Sequence, residues 1–173
     1  MIREATKKDL NAIESVCLDA FEPNEREIVA KVAVDLFADE SAQPVLVLVA
    51  ESESVIVGTV LFSHLWIEYH PEVRCSILAP LAVRKSHQRT GLGGKLIAHG
   101  LEQLKNQGVE HVFVLGDPRY YTRHGFHAGH GFKPPYELAY PEAWLVQTID
   151  NATTTVNTGQ IRCSRTLDVQ DLW

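Results

Sequence analysis

The apolar positions of the chain fall into two textures. Between residues 10 and 37 they recur every three or four positions: Leu10, Ile13, Val16, Cys17, Ala20 and Phe21, then, past the breaker Pro23-Asn24, Ile28, Val29, Val32, Ala33, Leu36 and Phe37. That spacing places one apolar stripe on each of two amphipathic helices. Ile2 to Ala5 ahead of them reads as a short strand, and Thr6 followed by Asp9 has the form of a capping box. After Pro44 the texture becomes β-branched: VLVLVAES, the polar turn Glu51 to Ser54, then VIVGTVLFSHLWI, which is a hairpin pattern. A further strand, CSILAPLAV, spans residues 75 to 83. Pro80 inside it cannot donate a ladder hydrogen bond, so the strand is expected to bulge or splay from a neighbour there.

Helical spacing returns from Gly91 to Gln107, with Leu92, Leu96, Ile97, Leu101 and Leu104 on one face and Gly108 placed to end the helix. A buried strand, His111 to Leu115, comes next. Strand, glycine loop, helix and strand make a βαβ unit, so the strands around Val83 and Val114 should run parallel. Residues 117 to 124 read as another short helix, and 144 to 149 and 160 to 164 as late strands.

Composition narrows the class. The chain has 173 residues, 45% apolar and 22% charged, which argues for one folded domain over residues 1–173 and against disorder or coiled coil. Its longest purely apolar run, Val45 to Ala50, is too short to span a bilayer. Sixteen Lys and Arg against 22 Asp and Glu leave a formal charge of −6, the wrong sign for a chain that neutralises nucleic-acid phosphates. Three cysteines, Cys17, Cys75 and Cys163, at no metal-like spacing, and the start MIREATKKDL without an apolar signal region, point to a cytoplasmic protein with reduced thiols. Asn151-Ala152-Thr153 matches a glycosylation acceptor, a coincidence if there is no secretory route.

The chemistry concentrates between Val83 and Lys95, VRKSHQRTGLGGK. Glycines where a strand meets a helix let backbone amides approach a ligand, and the helix's positive end attracts an anion such as a pyrophosphate. Arg84, Lys85, Arg89 and Lys95 add positive charge to an acidic chain. A P-loop would need Ser or Thr after Gly94-Lys95, where Leu96 stands. A dinucleotide fingerprint begun at Gly91 and Gly93 would need glycine at that same position.

The segment Gln88-Arg89-Thr90-Gly91-Leu92-Gly93 instead resembles the Q/R-x-x-G-x-G/A motif of the GNAT superfamily of acetyl-CoA-dependent N-acetyltransferases. APLAV before it is similar to the family's central strand, and Tyr121-Thr122-Arg123-His124-Gly125-Phe126 to its Y-x-x-x-G-F element. The fuller GDPRYYTRHGF resembles a bacterial subgroup of the superfamily. Together these cover residues 75 to 126, and the preceding helices and hairpin suit the family's earlier part.

The resemblance implies an α/β fold: a mixed, mostly antiparallel central sheet flanked by helices, with a parallel strand pair splayed at the cofactor. It implies acetyl-CoA as cosubstrate and coenzyme A as product. Main-chain groups of the strand Leu81, Ala82 and Val83 would pair with pantetheine and the acetyl carbonyl. Amides of Gln88, Arg89, Thr90, Gly91, Leu92, Gly93 and Gly94 would hold the pyrophosphate. Tyr121 takes the family's general-acid position, and Tyr120 next to it would pack on the cofactor or replace it as acid. The acceptor would be a small-molecule or peptide amine, attacking directly with no protein nucleophile. No membrane or nucleic-acid partner is expected, and a homodimer stays open.

Some members of that family carry a glutamate base on the central strand; here the matching position is Ile77, and Glu68, His70 and Glu72 just before the strand are the substitutes to weigh. The missing glutamate also leaves room for a CoA-binding sensor of the same fold. His124, His127 and His130 form an HxxHxxH series, but the glycines between them argue against one helix, so no metal is expected. Cys75, alone on a strand, reads as core filling rather than as an acylated nucleophile. The aromatic and proline-rich stretch from Lys133 to Trp144 would either wall an acceptor pocket or pack as a surface loop.

Overall fold

The structure is a computed structural model that describes residues 1–149 and 156–173. The Asn151 acceptor triplet lies outside the described residues. β1 (Ile2–Glu4) leads to α1 (Leu10–Ala20) and α2 (Arg26–Ala38), followed by β2 (Leu46–Ser52), β3 (Val55–Ile67) and β4 (His70–Val83). After α3 (Leu92–Asn106) come β5 (His111–Leu115), α4 (Pro118–Tyr121), β6 (Gly131–Lys133), β7 (Trp144–Thr148) and β8 (Thr158–Cys163).

The expected local signals operate. Asp9 accepts the Thr6 N–H at 2.7 Å, capping the short 3₁₀ turn that precedes α1. Glu53 and Ser54, with φ of 50° and 65°, form the two-residue turn between β2 and β3. Positive φ at both central residues matches the right-handed twist of a hairpin. One expectation fails: the polar stretch Glu68 to Glu72 is not a loop ahead of a strand starting at Cys75. β4 already begins at His70, and Tyr69 at φ 67° turns the chain in a second tight hairpin. Pro71 and the charged outward positions of HPEVR hid that strand's first five residues.

The sheet runs β1-β2-β3-β4-β5-β7, with β8 paired to β3 and β6 paired to β8. β1 to β4 are antiparallel, and β4 and β5 are parallel, as the βαβ pattern requires. β6, which no sequence signal marked, is a three-residue strand parallel to β8. α1 and α2 cover one sheet face, where Ile13, Val16, Ala33 and Leu36 meet Leu61, Leu65 and Ile77. α3 covers the other, where Leu96, Ile97 and Leu104 meet Val60, Phe62 and Val114. At Gly100 an added Cβ would run into the Phe62 ring, so the helix sits this close only because that residue is glycine.

Candidate active site

The site begins where the sheet comes apart. β4 and β5 pair only at Cys75–His111, Ser76–Val112 and Ile77–Phe113, and beyond these they diverge. The break coincides with Pro80: opposite β3, the register slips so that Ala79 and Pro80 together face only Leu61. This is the bulge the proline predicts. Arg84 N–H donates to Val57 O at 2.8 Å, which fixes the alternation of the β3–β4 ladder beyond the bulge. Residues 84 and 82 are then the bonded positions, and the main-chain groups of Leu81 and Val83 face the vacated side. Ala82 turns its side chain into the opposite core. Gln88 Nε2 donates to Val83 O at 2.9 Å, leaving the N–H groups of Leu81 and Val83 directed into the gap.

The glycine loop lies past the end of β4. Arg89 (φ 62°) and Gly91 (φ 81°) are both left-handed, and α3 starts directly after Gly91. A left-handed arginine is uncommon and costs about 1 kcal/mol, a local strain of the kind held at ligand sites. Lys95 N–H to Gly91 O is the helix's first backbone bond, so the amides of Leu92, Gly93 and Gly94 have no intrahelical acceptor. They border a cleft of about 700 Å³ lined by Leu81, Val83, Gln88, Arg89, Gly91, Leu92, Gly93, Gly94 and Tyr120. A Cβ on Gly93 would strike the Tyr120 hydroxyl, and one on Gly94 would come within 2.7 Å of the His124 ring. Thr90 does not line this cleft; its hydroxyl donates to His87 O at 2.7 Å and tightens the loop.

The cleft also has walls that sequence reasoning missed, His87, Arg123 and His124. The last two sit inside YYTRHGF and could have been noticed there. The charge expectation needs correcting in turn. Arg84 is spent on Ile56 O and Ser15 Oγ, and Lys85 donates its backbone N–H to Asp19 and turns its ammonium group to Glu22, so the cationic lining comes from Arg89 and Arg123.

On the other side of Tyr120 the two strands enclose a groove of about 690 Å³. Tyr121 lines it together with Pro80, Leu81, Gly116 and Asp117. Tyr121 packs edge-on against Tyr120 and Phe126, at centroid distances of 5.1 and 5.8 Å, and its ring rests on Gly116, where a Cβ would collide with it. Burial, reinforced by neighbouring Tyr120, pushes its hydroxyl well above the ordinary tyrosine range. It therefore stays protonated throughout neutral and moderately alkaline pH.

Ile77, at the end of the parallel pairing, is buried and aliphatic. Glu68, His70 and Glu72 sit at the far end of β4, roughly 40 Å along the strand from Val83 at 3.3 Å per residue. They face solvent, with His70 on Glu72 and Glu68 on Arg162, and none reaches the groove as a base. Burial pushes the Cys75 thiol up to about 12, with Glu110 adding to it, which removes its nucleophilic form at neutral pH. Among the described residues no three His, Cys, Asp or Glu side chains gather as metal ligands. His124 packs on Tyr120 while His130 faces Trp144 O at 3.0 Å. The stretch 133 to 144 walls a separate cavity of about 770 Å³, with His130, Tyr136 and Trp144, and shares no lining residue with the groove.

The sequence pattern of the Acetyltransferase (GNAT) family matches residues 10–132. The chain belongs to this family. It is an acyltransferase of that family, and its relatives agree. The uncharacterized N-acetyltransferase YjhQ of Escherichia coli (strain K12) is 39% identical over 165 residues, covering 91% of this chain and 88% of YjhQ. The uncharacterized N-acetyltransferase YhbS of the same strain is 31% identical over 126 residues, 73% of this chain and 72% of its own. The crystal structure of YhbS in complex with CoA superimposes with a TM-score of 0.86 at 26% identity, over 98% of this chain and 92% of that one. A Brucella melitensis GNAT acetyltransferase in complex with acetyl-CoA gives a TM-score of 0.74 at 26% identity, over 97% of both chains. No helix of the described residues is long and apolar enough to cross a membrane.

Proposed function

We propose that the protein moves the acetyl group of acetyl-CoA directly to a primary amine within one ternary complex, Tyr121 acting as general acid. The observation that carries this reading is the exposed edge of β4: Leu81 and Val83 turn main-chain N–H groups away from β3 on the splayed side, Leu81 bordering both clefts, the one Tyr121 lines and the one Val83 lines with Tyr120. The residues suit the cosubstrate. Free amides at the start of α3, with Arg89 and Arg123, would hold its pyrophosphate, and the β4 edge would pair with its pantetheine amides. Acetyl-CoA brings an activated thioester, and both clefts border the same strand.

Val83 N–H then stabilises negative charge developing on the carbonyl oxygen as the amine attacks. The amine nitrogen forms its bond to the carbonyl carbon, the carbon–sulfur bond breaks, and Tyr121 delivers its proton to the departing sulfur. Water carries the surplus ammonium proton to bulk solvent, and Tyr121 is reprotonated from there. Residues 1–173 act in this reading as one acetyltransferase domain.

Initial-rate kinetics test the reading. Release of CoA thiol dependent on an added amine, with double-reciprocal lines that intersect, supports direct transfer. Parallel lines together with an acetylated enzyme in the mass spectrum would replace it with a covalent route. Saturable acetyl-CoA binding without thiol release across a broad amine panel would favour a sensor of the same fold.

A further inference from the structure

One face of α2 lines the groove, its Val29 and Val32 packing on the edge of the core at the same time. Ala30, Ala33 and Leu36 are buried against the sheet, whereas Glu25, Ile28, Val29 and Val32, at i, i+3, i+4 and i+7, run along the groove wall. Ile28 is 54% exposed, so the apolar stripe reaches the mouth. Leu167 and Leu172 from the C-terminal segment complete the wall. The lining contains no Lys, Arg or His and only two carboxylates. Asp117 is already held by Arg119 Nε and Nη2 at 3.2 and 2.9 Å. Glu25 makes no ion pair among the described residues.

We propose that the acceptor is an amine on an apolar body, with no carboxylate, no phosphate and no second cation. The inference rests on the acetyl-transfer reading and narrows it. Glu25 attracts the single ammonium group, and the stripe on α2 takes apolar surface out of water. An amino acid would carry its carboxylate into a lining without a cation, and a polyamine would lay a second ammonium group on valine and leucine without a partner.

Thiol release with 2-phenylethylamine and n-hexylamine, compared with L-lysine, L-glutamate, spermidine and a lysine-containing peptide, tests this. The apolar monoamines should have kcat/KM at least about tenfold higher, the scale on which an apolar pocket discriminates. Ile28→Asp should raise the KM for n-hexylamine about tenfold while leaving stabilisation by acetyl-CoA intact. Its exposed position lets that variant fold, which its unfolding temperature checks. Preference for any of the charged acceptors, or an unchanged KM in folded Ile28→Asp, overturns the acceptor class and leaves the transfer reading standing. No thiol release with any amine overturns the transfer reading and this inference with it.

Discussion

Replacing Tyr121 by Phe removes one hydroxyl from the groove and little else. The ring keeps its contacts with Tyr120, Phe126 and Gly116, and the described residues show no hydrogen bond from the hydroxyl that the change would break. Stability should therefore move by less than about 1 kcal/mol. The chemical cost is larger. A thiolate leaving among Pro80, Leu81 and Leu115 without a donor loses a hydrogen bond to a charged group, worth about 1.5–3 kcal/mol. At 1.36 kcal/mol per tenfold, that alone slows the reaction by roughly 10- to 150-fold. Lost proton transfer lies on a scale of about 10²–10⁴-fold, so kcat should fall on the order of 10²-fold or more. The assay is steady-state release of CoA thiol at saturating amine, with acetyl-CoA KM changed by no more than about threefold. Burial raises the Tyr121 pKa, so the acid form persists up to and above pH 10, the ordinary value, and is lost only as pH climbs through the raised one. The wild-type rate should thus climb with pH through 8 to 9 as more amine becomes neutral. A Tyr121→Phe variant within threefold of wild type, with Tyr120→Phe carrying the loss instead, would refute the assignment.

Two other outcomes follow from the packing. Asp39→Ala should lower stability by about 2–4 kcal/mol, or roughly 5–15 °C in Tm, because the buried carboxylate accepts from Ser41 N and Oγ and from Thr166 N and Oγ1 at 2.6–2.9 Å. Burial alone would raise that carboxyl's pKa, but the bonds from Ser41 and Thr166 together hold it below the ordinary range. Its contribution is accordingly full above the ordinary carboxylate pKa of about 3.9 and is lost as pH falls through the lowered value, which thermal unfolding from pH 7 to pH 2 measures. Cys75→Ala should keep kcat within about threefold and show no change in kinetic pattern, since a thiol held near 12 is not the nucleophile; a hundredfold loss in a folded variant would reopen a covalent route.

How far the sequence could be read depends on whether a feature is local. Pro80 announced the bulge because a missing N–H has its effect at its own position. Gly91 and the leucines of α3 announced the loop and helix for the same reason. Features set by distant partners were not visible. Arg84 and Lys85 add charge beside the loop in the sequence, but Ser15 of the first helix accepts from the Arg84 guanidinium and Glu22 in the turn after it faces the Lys85 ammonium group. Ile28, Val29 and Val32 have the spacing of a core stripe, and nothing local to them shows that they also line the groove beside the splayed strands. No local pattern places the segment after Cys163, yet Asp39 ties it down through Thr166, 127 residues away, and so brings Leu167 and Leu172 to the groove wall. Glu68, His70 and Glu72, weighed as substitutes for the missing base, lie far from the groove because β4 has 14 residues and begins at His70, well before its apolar part.

Thermal unfolding with ligand asks whether α3's glycine loop holds a CoA pyrophosphate. Acetyl-CoA or CoA at about 100 times its Kd should add roughly 2.7 kcal/mol, with much less from ATP or NAD at the same concentration. Gly91→Glu should abolish that gain by putting a carboxylate at the anion site. It should still fold, since a Cβ there meets nothing within 4 Å and its left-handed φ of 81° costs about 1–2 kcal/mol. No stabilisation of the wild type by either CoA species, or equal stabilisation of folded Gly91→Glu, would mean that the loop is not the pyrophosphate site.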